Sequence, residues 1–160
     1  MEDVCRLKAR QLLEELKVSE LPVDIEKIAK HCGLEIEHVS KGKGFYGQLL
    51  KERRIIEVQS SMHPHRNRFT IAHEIGHYIL NHSPALCPFD DRSIKDPKKI
   101  NEKHANVFAS ELLMPEPWIK TYWRELKNDH RAMARKFYVS DEAMFRRLQD
   151  LKLLGLESPL

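Results

Sequence analysis

Residues 69–80 form a helix-length run that is apolar on nearly every side, and this run constrains the fold more than any other segment. A helix that is hydrophobic all round is normally buried. Three titratable side chains, His73, Glu74 and His77, interrupt the apolar residues. Because burying a polar group costs free energy unless it is paired or binds a metal, these three residues need a partner inside the fold.

The spacing of the two histidines indicates what that partner is. His73 and His77 are four residues apart, so they share one face of a helix and can bind a single ion. Glu74 follows the first histidine and can reach water bound to that ion. This is the HExxH pattern of zinc hydrolases. The alternative is a pair of satisfied core histidines, but the apolar context favours a metal site. Gly76 leaves room on the metal-facing side, at some cost in helix propensity.

A catalytic zinc usually has three protein ligands and an open position for water. One option is a longer pattern with a third histidine beyond a glycine turn. It is disfavoured because Leu80 and Ser83 stand at the glycine and histidine positions, and His82 is one residue off. The other option is Glu102, which flanks the predicted buried face of a downstream helix. Spacing alone does not decide the role of Glu102, which could be a metal ligand or a solvated first-turn residue favoured by the helix dipole.

Composition limits the class of protein. The 160 residues are 41% hydrophobic and 32% charged, which predicts one compact domain, or one with a small appendage, and excludes disorder. A net charge of +3 is too weak to argue for nucleic acid. The three cysteines are scattered along the sequence, which predicts a reducing, cytoplasmic setting. The sequence has no apolar signal region and no apolar run of membrane length, so we expect no membrane association. A secreted digestive protease is therefore disfavoured.

Periodicity predicts an α+β fold with several helices and a small, three-stranded, mostly antiparallel sheet. The predicted strands are 34–39, 45–50 and 54–58, with the last two in a hairpin. The predicted helices cover about 4–17, 25–32, 64–80, 98–114, 118–127, 131–137 and 141–153. Strand 45–50 could be an edge that pairs with an extended substrate or an ordinary interior strand.

The last two predicted helices have helix-turn-helix character, with Arg146 and Arg147 expected to be exposed. Such a pair can bind DNA. However, Tyr138 stands in the turn where a glycine is common, and basic residues are few. Direct DNA binding is therefore disfavoured relative to a packing element or a platform for protein contacts.

Four segments carry a family resemblance. They are residues 68–80, residues 102–115 with the pattern Glu102-x-x-Ala105-Asn106-x-Phe108-Ala109-x-x-Leu112-Leu113-Met114-Pro115, the opening 21–29, and residues 134–148. In these segments the chain resembles the ImmA/IrrE family of metallo-endopeptidases. The resemblance implies a zincin-like, thermolysin-like domain over residues 1–127, in which a small sheet lies beside two ligand-bearing helices. Residues 128–160 would form a C-terminal helix-turn-helix-like extension packed on it.

The resemblance also implies a site and a reaction. Glu102 would complete the metal site of His73 and His77, and the reaction would be metal-assisted peptide hydrolysis with Glu74 as the base. Zn²⁺ is the expected ion, with Mn²⁺ or another divalent ion as alternatives. Asn106, one turn after Glu102, could orient an imidazole. The sequence does not decide which residue would stabilise the oxyanion that forms during hydrolysis; the candidates are His104, Tyr46 and His65.

Two classes of function follow. In the first, implied by the resemblance, a regulatory protease cleaves a helix-turn-helix repressor at a specific site. In the second, a non-proteolytic regulator has a structural metal site and binds a repressor or DNA through its C-terminal helices. The presence of Glu74 favours the protease, because a structural zinc does not need a base.

Overall fold

The computed structural model of the protein describes residues 1–81 and 96–154. Positions 82 and 83, which would carry the third histidine of the longer pattern, lie outside the described residues. Cys87 lies outside them as well. Within the two described ranges the chain forms seven α-helices and three β-strands. These are α1 (Glu2–Glu15), α2 (Ile25–His31), β1 (Glu35–Val39), β2 (Gly47–Leu50), β3 (Ile55–Gln59), α3 (Pro64–Ile79), α4 (Pro97–Leu113), α5 (Glu116–Glu125), α6 (His130–Phe137) and α7 (Asp141–Asp150). None of these helices is long and apolar enough to span a bilayer.

The predicted α+β class is confirmed, but the predicted strand directions are partly wrong. The sheet has the order β1–β3–β2, with β2 antiparallel and β1 parallel to β3. The predicted hairpin of β2 and β3 is present, with a short 3₁₀ turn at Lys51–Arg53. Strand β3 takes the centre of the sheet, where its first four residues are buried, and β1 joins its other edge in the parallel direction. Alternating apolar residues indicate a strand but do not specify its partner or its direction.

Local capping explains where several helices begin and end. The Asp24 carboxylate accepts a hydrogen bond from the Lys27 backbone N–H at 3.1 Å and so caps the N-terminus of α2. Gly33 follows that helix with a φ of +74°, a conformation that favours glycine. Pro64 and Pro97 occupy the first positions of α3 and α4, where a missing N–H leaves no hydrogen bond unmade.

The two long helices α3 and α4 approach closely at Gly76. A Cβ atom at this position would lie 3.2 Å from the Ala105 carbonyl oxygen and 3.1 Å from Cδ1 of Phe108. The room that Gly76 leaves is occupied by α4. The glycine sets how near the helix that carries Glu102 can come to the helix that carries the histidines.

The C-terminal helices share one core with the rest of the described chain. Phe137, Met144 and Leu148 are fully buried and belong to the same apolar cluster as Ile71 of α3 and Phe108 of α4. Burial of this kind supplies most of the free energy that holds helices together. Helices α6 and α7 are therefore packed on the preceding residues.

A buried ion pair fixes α7 to α4. Glu111 is completely buried and pairs with Arg147, and it also accepts a hydrogen bond from Arg10 Nε of α1 at 2.6 Å. Arg147 Nε donates to the Met114 carbonyl at 3.0 Å. The expectation that Arg147 is exposed is therefore wrong, since only 3% of its side chain is accessible, whereas Arg146 is exposed as expected.

A second arginine fixes the turn between α6 and α7. Arg68 of α3 donates to the Val23 carbonyl at 2.7 Å and to the Tyr138 carbonyl at 3.2 Å. Tyr138 itself adopts the left-handed conformation, with φ of +53°, and its ring lies under the Arg68 guanidinium. Although glycine is more usual at such a position, these contacts hold the tyrosine there.

Glycine is also required where β2 packs on α3. A Cβ atom at Gly47 would lie 2.5 Å from Thr70 Cγ2 and 2.9 Å from the Glu57 carbonyl oxygen. Contacts this short force the neighbours to move. A Cβ atom at Gly42, in contrast, would meet nothing within 4 Å.

We expect Glu111→Ala to lower the free energy of unfolding by about 3–5 kcal/mol, because it leaves Arg147 buried without its carboxylate. Urea denaturation measures the change. Glu142→Ala is the matched control, since it removes the exposed Arg146–Glu142 pair of α7 and is expected to cost less than about 1 kcal/mol. Equal losses in the two variants would contradict the structural role of the buried pair.

We expect Gly47→Ala to destabilise the protein by about 1–3 kcal/mol, because its methyl group overlaps Thr70 and a β3 carbonyl. The control Gly42→Ala is expected to be neutral or to stabilise by up to about 1 kcal/mol. Thermal unfolding of both variants checks the difference. Equal stability of the two variants would show that β2 does not require a glycine against α3.

Candidate metal centre

The structure brings three of the predicted site residues together. His73 and His77 lie one turn apart on α3, with their Nε2 atoms 3.0 Å apart. The Glu102 carboxylate of α4 lies 3.1 Å from each of these nitrogens, through one oxygen to each. Potential ligand atoms of all three residues fall within 4.8 Å of one another. The histidine rings are largely buried, whereas about half of the Glu102 side chain is exposed.

The chemistry of these groups fits a cation. The side-chain amide oxygen Oδ1 of Asn106 lies 2.7 Å from His73 Nδ1, so it accepts a hydrogen bond from protonated Nδ1 and leaves Nε2 with its lone pair. That lone pair faces the Glu102 carboxylate. Since electron-pair donors repel one another at this range, a positive ion between them would stabilise their convergence. Two imidazoles and a carboxylate form a ligand set that suits Zn²⁺ and several other divalent metals.

Glu74 lies beside this cluster but outside it. Its side chain is buried, with 8% exposed. The pKa of Glu74 is raised to about 7, first by burial and then by the negative charge of Glu102, while a hydrogen bond from the Leu49 backbone N–H opposes the shift. Among the described residues, the atoms that could share an ion come from His73, His77 and Glu102, and not from Glu74. A carboxyl group with a pKa near neutrality can both accept and return a proton.

A cleft of about 910 Å³ opens beside these residues. His73, Glu74 and Glu102 line one part of it, Tyr46 and Gly47 line the side next to β2, and residues of α7 line another part. The volume is at the upper end of the range of about 300–1,000 Å³ that is usual for ligand sites.

The remaining predicted residues divide into two groups. Tyr46 and His65 line the cleft, and the Arg66 guanidinium lies 4.6 Å from the Tyr46 ring. His104 does not line it. Its ring is buried on another side of α4, near the N-terminus and Glu2, and this burial lowers the pKa of His104. The structure therefore brings Tyr46 and His65, but not His104, to the cleft.

Sequence reasoning missed the contribution of α7 to the cleft. Ser140, Ala143, Arg146 and Asp150 are among its lining residues, and none of them belongs to a chemical motif. The only available signal was their spacing of three or four residues, which places them near one face of a helix. That spacing does not reveal what the face contacts.

Comparison with known proteins identifies the family of the chain. The chain is 36% identical over 85 residues to the Radiation response metalloprotease IrrE of Deinococcus radiodurans, a match that spans 52% of this chain and about a quarter, 26%, of that protein. The fold resembles that of a Mycobacterium tuberculosis transcriptional regulator, with a TM-score of 0.71 and 17% identity over 90% of this chain and 46% of the other. Residues 15–149 match the sequence model of the peptidase M78 family, described as the IrrE N-terminal-like domain. The chain therefore belongs to this family, the ImmA/IrrE family.

Proposed function

We propose that the protein is a zinc-dependent endopeptidase that cleaves a regulatory protein, most specifically a helix-turn-helix repressor, in the cytoplasm. The observation that carries the proposal is the convergence of His73, His77 and Glu102 beside the buried carboxyl group of Glu74. Membership of a peptidase family supports the reaction, and the name of the Deinococcus radiodurans relative, a radiation response metalloprotease, supports a regulatory role.

The residues have separate roles in this reaction. A divalent ion held by His73, His77 and Glu102 would act as a Lewis acid towards water and the scissile carbonyl group. Glu74 takes a proton from the attacking water and returns it to the leaving amine, so that one water is added across the peptide bond. Asn106 fixes the orientation and tautomer of His73 through the contact with Nδ1.

The sheet offers a way to hold a substrate. Strand β2 lies at an edge of the sheet, as one of the two interpretations of this segment requires. The Leu49 N–H of this strand points to Glu74, and Tyr46 and Gly47 line the cleft. An extended peptide can pair with such an edge through backbone hydrogen bonds. We infer that the substrate binds alongside β2, with its scissile bond near Glu74.

The alternative, a non-proteolytic regulator that binds DNA through its last two helices, has less support. Arg147 is buried against Glu111 and cannot reach a phosphate group. Arg146 is exposed but paired with Glu142 at 2.6 Å. Because DNA affinity depends on cations that neutralise phosphates, this face of α7 is poorly equipped for it.

We expect His73→Ala, His77→Ala and Glu102→Ala each to abolish stoichiometric zinc binding, because each removes one of the three ligands. Asn106→Ala should weaken zinc binding by about 10–100-fold, since His73 loses its orienting partner. Competition with a chromophoric chelator measures the affinity. The control is His31→Ala, which lies elsewhere and pairs with Glu15. Wild-type affinity in the three ligand variants would contradict the proposed site.

We expect Glu74→Gln to keep its zinc and to lose about 10²–10⁴-fold in cleavage rate, because the amide cannot accept the proton. The assay combines metal analysis with digestion of candidate helix-turn-helix repressor proteins. The control is Glu125→Gln, an exposed position on α5. Cleavage by Glu74→Gln at the wild-type rate would refute the mechanism. A zinc-loaded wild type that cuts nothing under any inducing condition would favour the non-proteolytic alternative.

A further inference from the structure

Strand β1 is the second edge of the sheet, opposite to the edge formed by β2. The order β1–β3–β2 leaves β1 with one neighbouring strand among the described residues. Strands in a sheet lie about 4.8 Å apart, so β1 is about 10 Å from β2. None of the described residues that line the cleft belongs to β1. The proposed function therefore assigns no role to this edge.

The backbone hydrogen bonds of β1 show which of its residues are already paired. The Glu35 N–H donates to the Arg54 carbonyl at 2.9 Å, and the Val39 carbonyl accepts from the Ser60 N–H at 2.8 Å. In a parallel ladder alternate residues bond to the same neighbouring strand, so the first, third and fifth residues of β1 bond to β3. The second and fourth residues direct their backbone groups to the other side.

Those two residues, Ile36 and His38, form an open edge. Outside the ladder of β1 with β3, no hydrogen bond from another described residue reaches their N–H or C=O groups. His38 is exposed, and Ile36 is only partly buried. An exposed row of backbone donors and acceptors is a template for one more strand.

Two carboxylates set the side-chain chemistry of this edge. Glu35 and Glu37 are exposed and share one face of the strand, and Ile36 lies between them on the opposite face. Neither carboxylate belongs to an ion pair within residues 1–81 and 96–154, whereas the neighbouring Glu57 is paired with Lys41 at 2.9 Å. An added strand would thus meet two unpaired negative charges with an apolar side chain between them.

These charges disfavour a second copy of the chain as the added strand. The register that pairs all of β1 antiparallel with itself places Glu37 opposite Glu37 of the second copy, and like charges directly opposite are destabilising. Strand β1 is nevertheless a regular strand of five residues without proline, and its register with β3 is uninterrupted. The edge therefore remains able to pair, and its charges select a partner of opposite charge.

We propose that β1 is a docking edge for an extended basic segment of another protein, in which Lys or Arg residues alternate with apolar residues. The segment adds to the sheet as a fourth strand through the backbone groups of Ile36 and His38. Its basic side chains face Glu35 and Glu37, and the apolar side chain between them covers Ile36. This surface is separate from the cleft and does not depend on the proposed peptidase activity.

The first test measures peptide binding by fluorescence anisotropy. Full-length Glu74→Gln protein, which is not expected to cut the probes, is titrated against a labelled Lys-Val-Lys-Val-Lys peptide with blocked ends. The comparison peptides are Glu-Val-Glu-Val-Glu and the rearranged Lys-Lys-Val-Val-Lys. The alternating basic peptide should bind at least about tenfold more tightly than either, because only it places both lysines opposite carboxylates.

Charge reversal on the protein locates the binding. In the double variant Glu35→Lys with Glu37→Lys, the acidic peptide should bind about tenfold more tightly than the basic one. The control Glu14→Lys with Glu125→Lys makes the same change in net charge at exposed positions on α1 and α5, and it should keep the wild-type preference. An unchanged preference in the β1 variant, or an equal reversal in the control, would overturn the proposal.

Backbone methylation of the peptide separates strand addition from simple charge attraction. An added strand directs every second N–H towards β1, so methylation of one alternate set should abolish binding, and methylation of the other should weaken it less than about threefold. On the protein, His38→Pro removes an N–H that faces the free edge and should weaken binding at least about tenfold, whereas His38→Ala keeps the N–H and should not.

The methylated peptides keep the test decisive if His38→Pro folds poorly, since equal effects of the two sets would overturn strand addition. Absence of binding at about 1 mM basic peptide would overturn it as well. So would a dimer in sedimentation equilibrium that His38→Pro dissociates, because a second copy would then occupy the edge. The expected binding preferences in a protein that cleaves nothing would support the docking edge and count only against the peptidase proposal.

Discussion

The close contact of α3 with α4 at Gly76 is the constraint on which the site depends. A side chain there would meet the Ala105 carbonyl oxygen at 3.2 Å, so only glycine lets the two backbones approach this closely without strain. His77 is the next residue on α3, and Glu102 lies one turn before Ala105 on α4. The helix–helix distance therefore sets the distance between the nitrogen and oxygen atoms of the candidate ligands. Displacement of a reacting group by about 1 Å can cost about 10²-fold in rate, which makes this packing functionally important.

Two arginines extend this rigid arrangement to the end of the described chain. Arg68 connects α3 to the turn that precedes α7, and Arg147 connects α7 to Glu111 of α4. A buried ion pair contributes little net stability because both charges lose their hydration. Its effect is geometric, since it holds α7 in one position relative to α4. We infer that the last two helices belong to the substrate cleft and do not form a separate DNA-binding unit.

The sequence predicts those features that follow from the helical period within one element. His73 and His77 could be paired from their spacing, and the strands and helices from their apolar patterns. Features that depend on contacts between distant elements could not be predicted. Periodicity could not decide whether Glu102 is a metal ligand, because the position of α4 relative to α3 depends on their contact at Gly76. Only the family resemblance implied its role. The burial of Arg147 was missed since its partner Glu111 is 36 residues away. The parallel pairing of β1 with β3 was missed because a strand pattern carries no direction.

The most direct test of the central claim is an anomalous diffraction measurement at the zinc absorption edge, on a crystal of the zinc-loaded protein. We expect one strong peak within bonding distance of His73 Nε2, His77 Nε2 and a Glu102 carboxylate oxygen, with Glu74 close by but not bonded to it. A peak bound by other residues, or a fully occupied zinc coordinated by Glu74 in place of Glu102, would contradict the assignment of ligands and base.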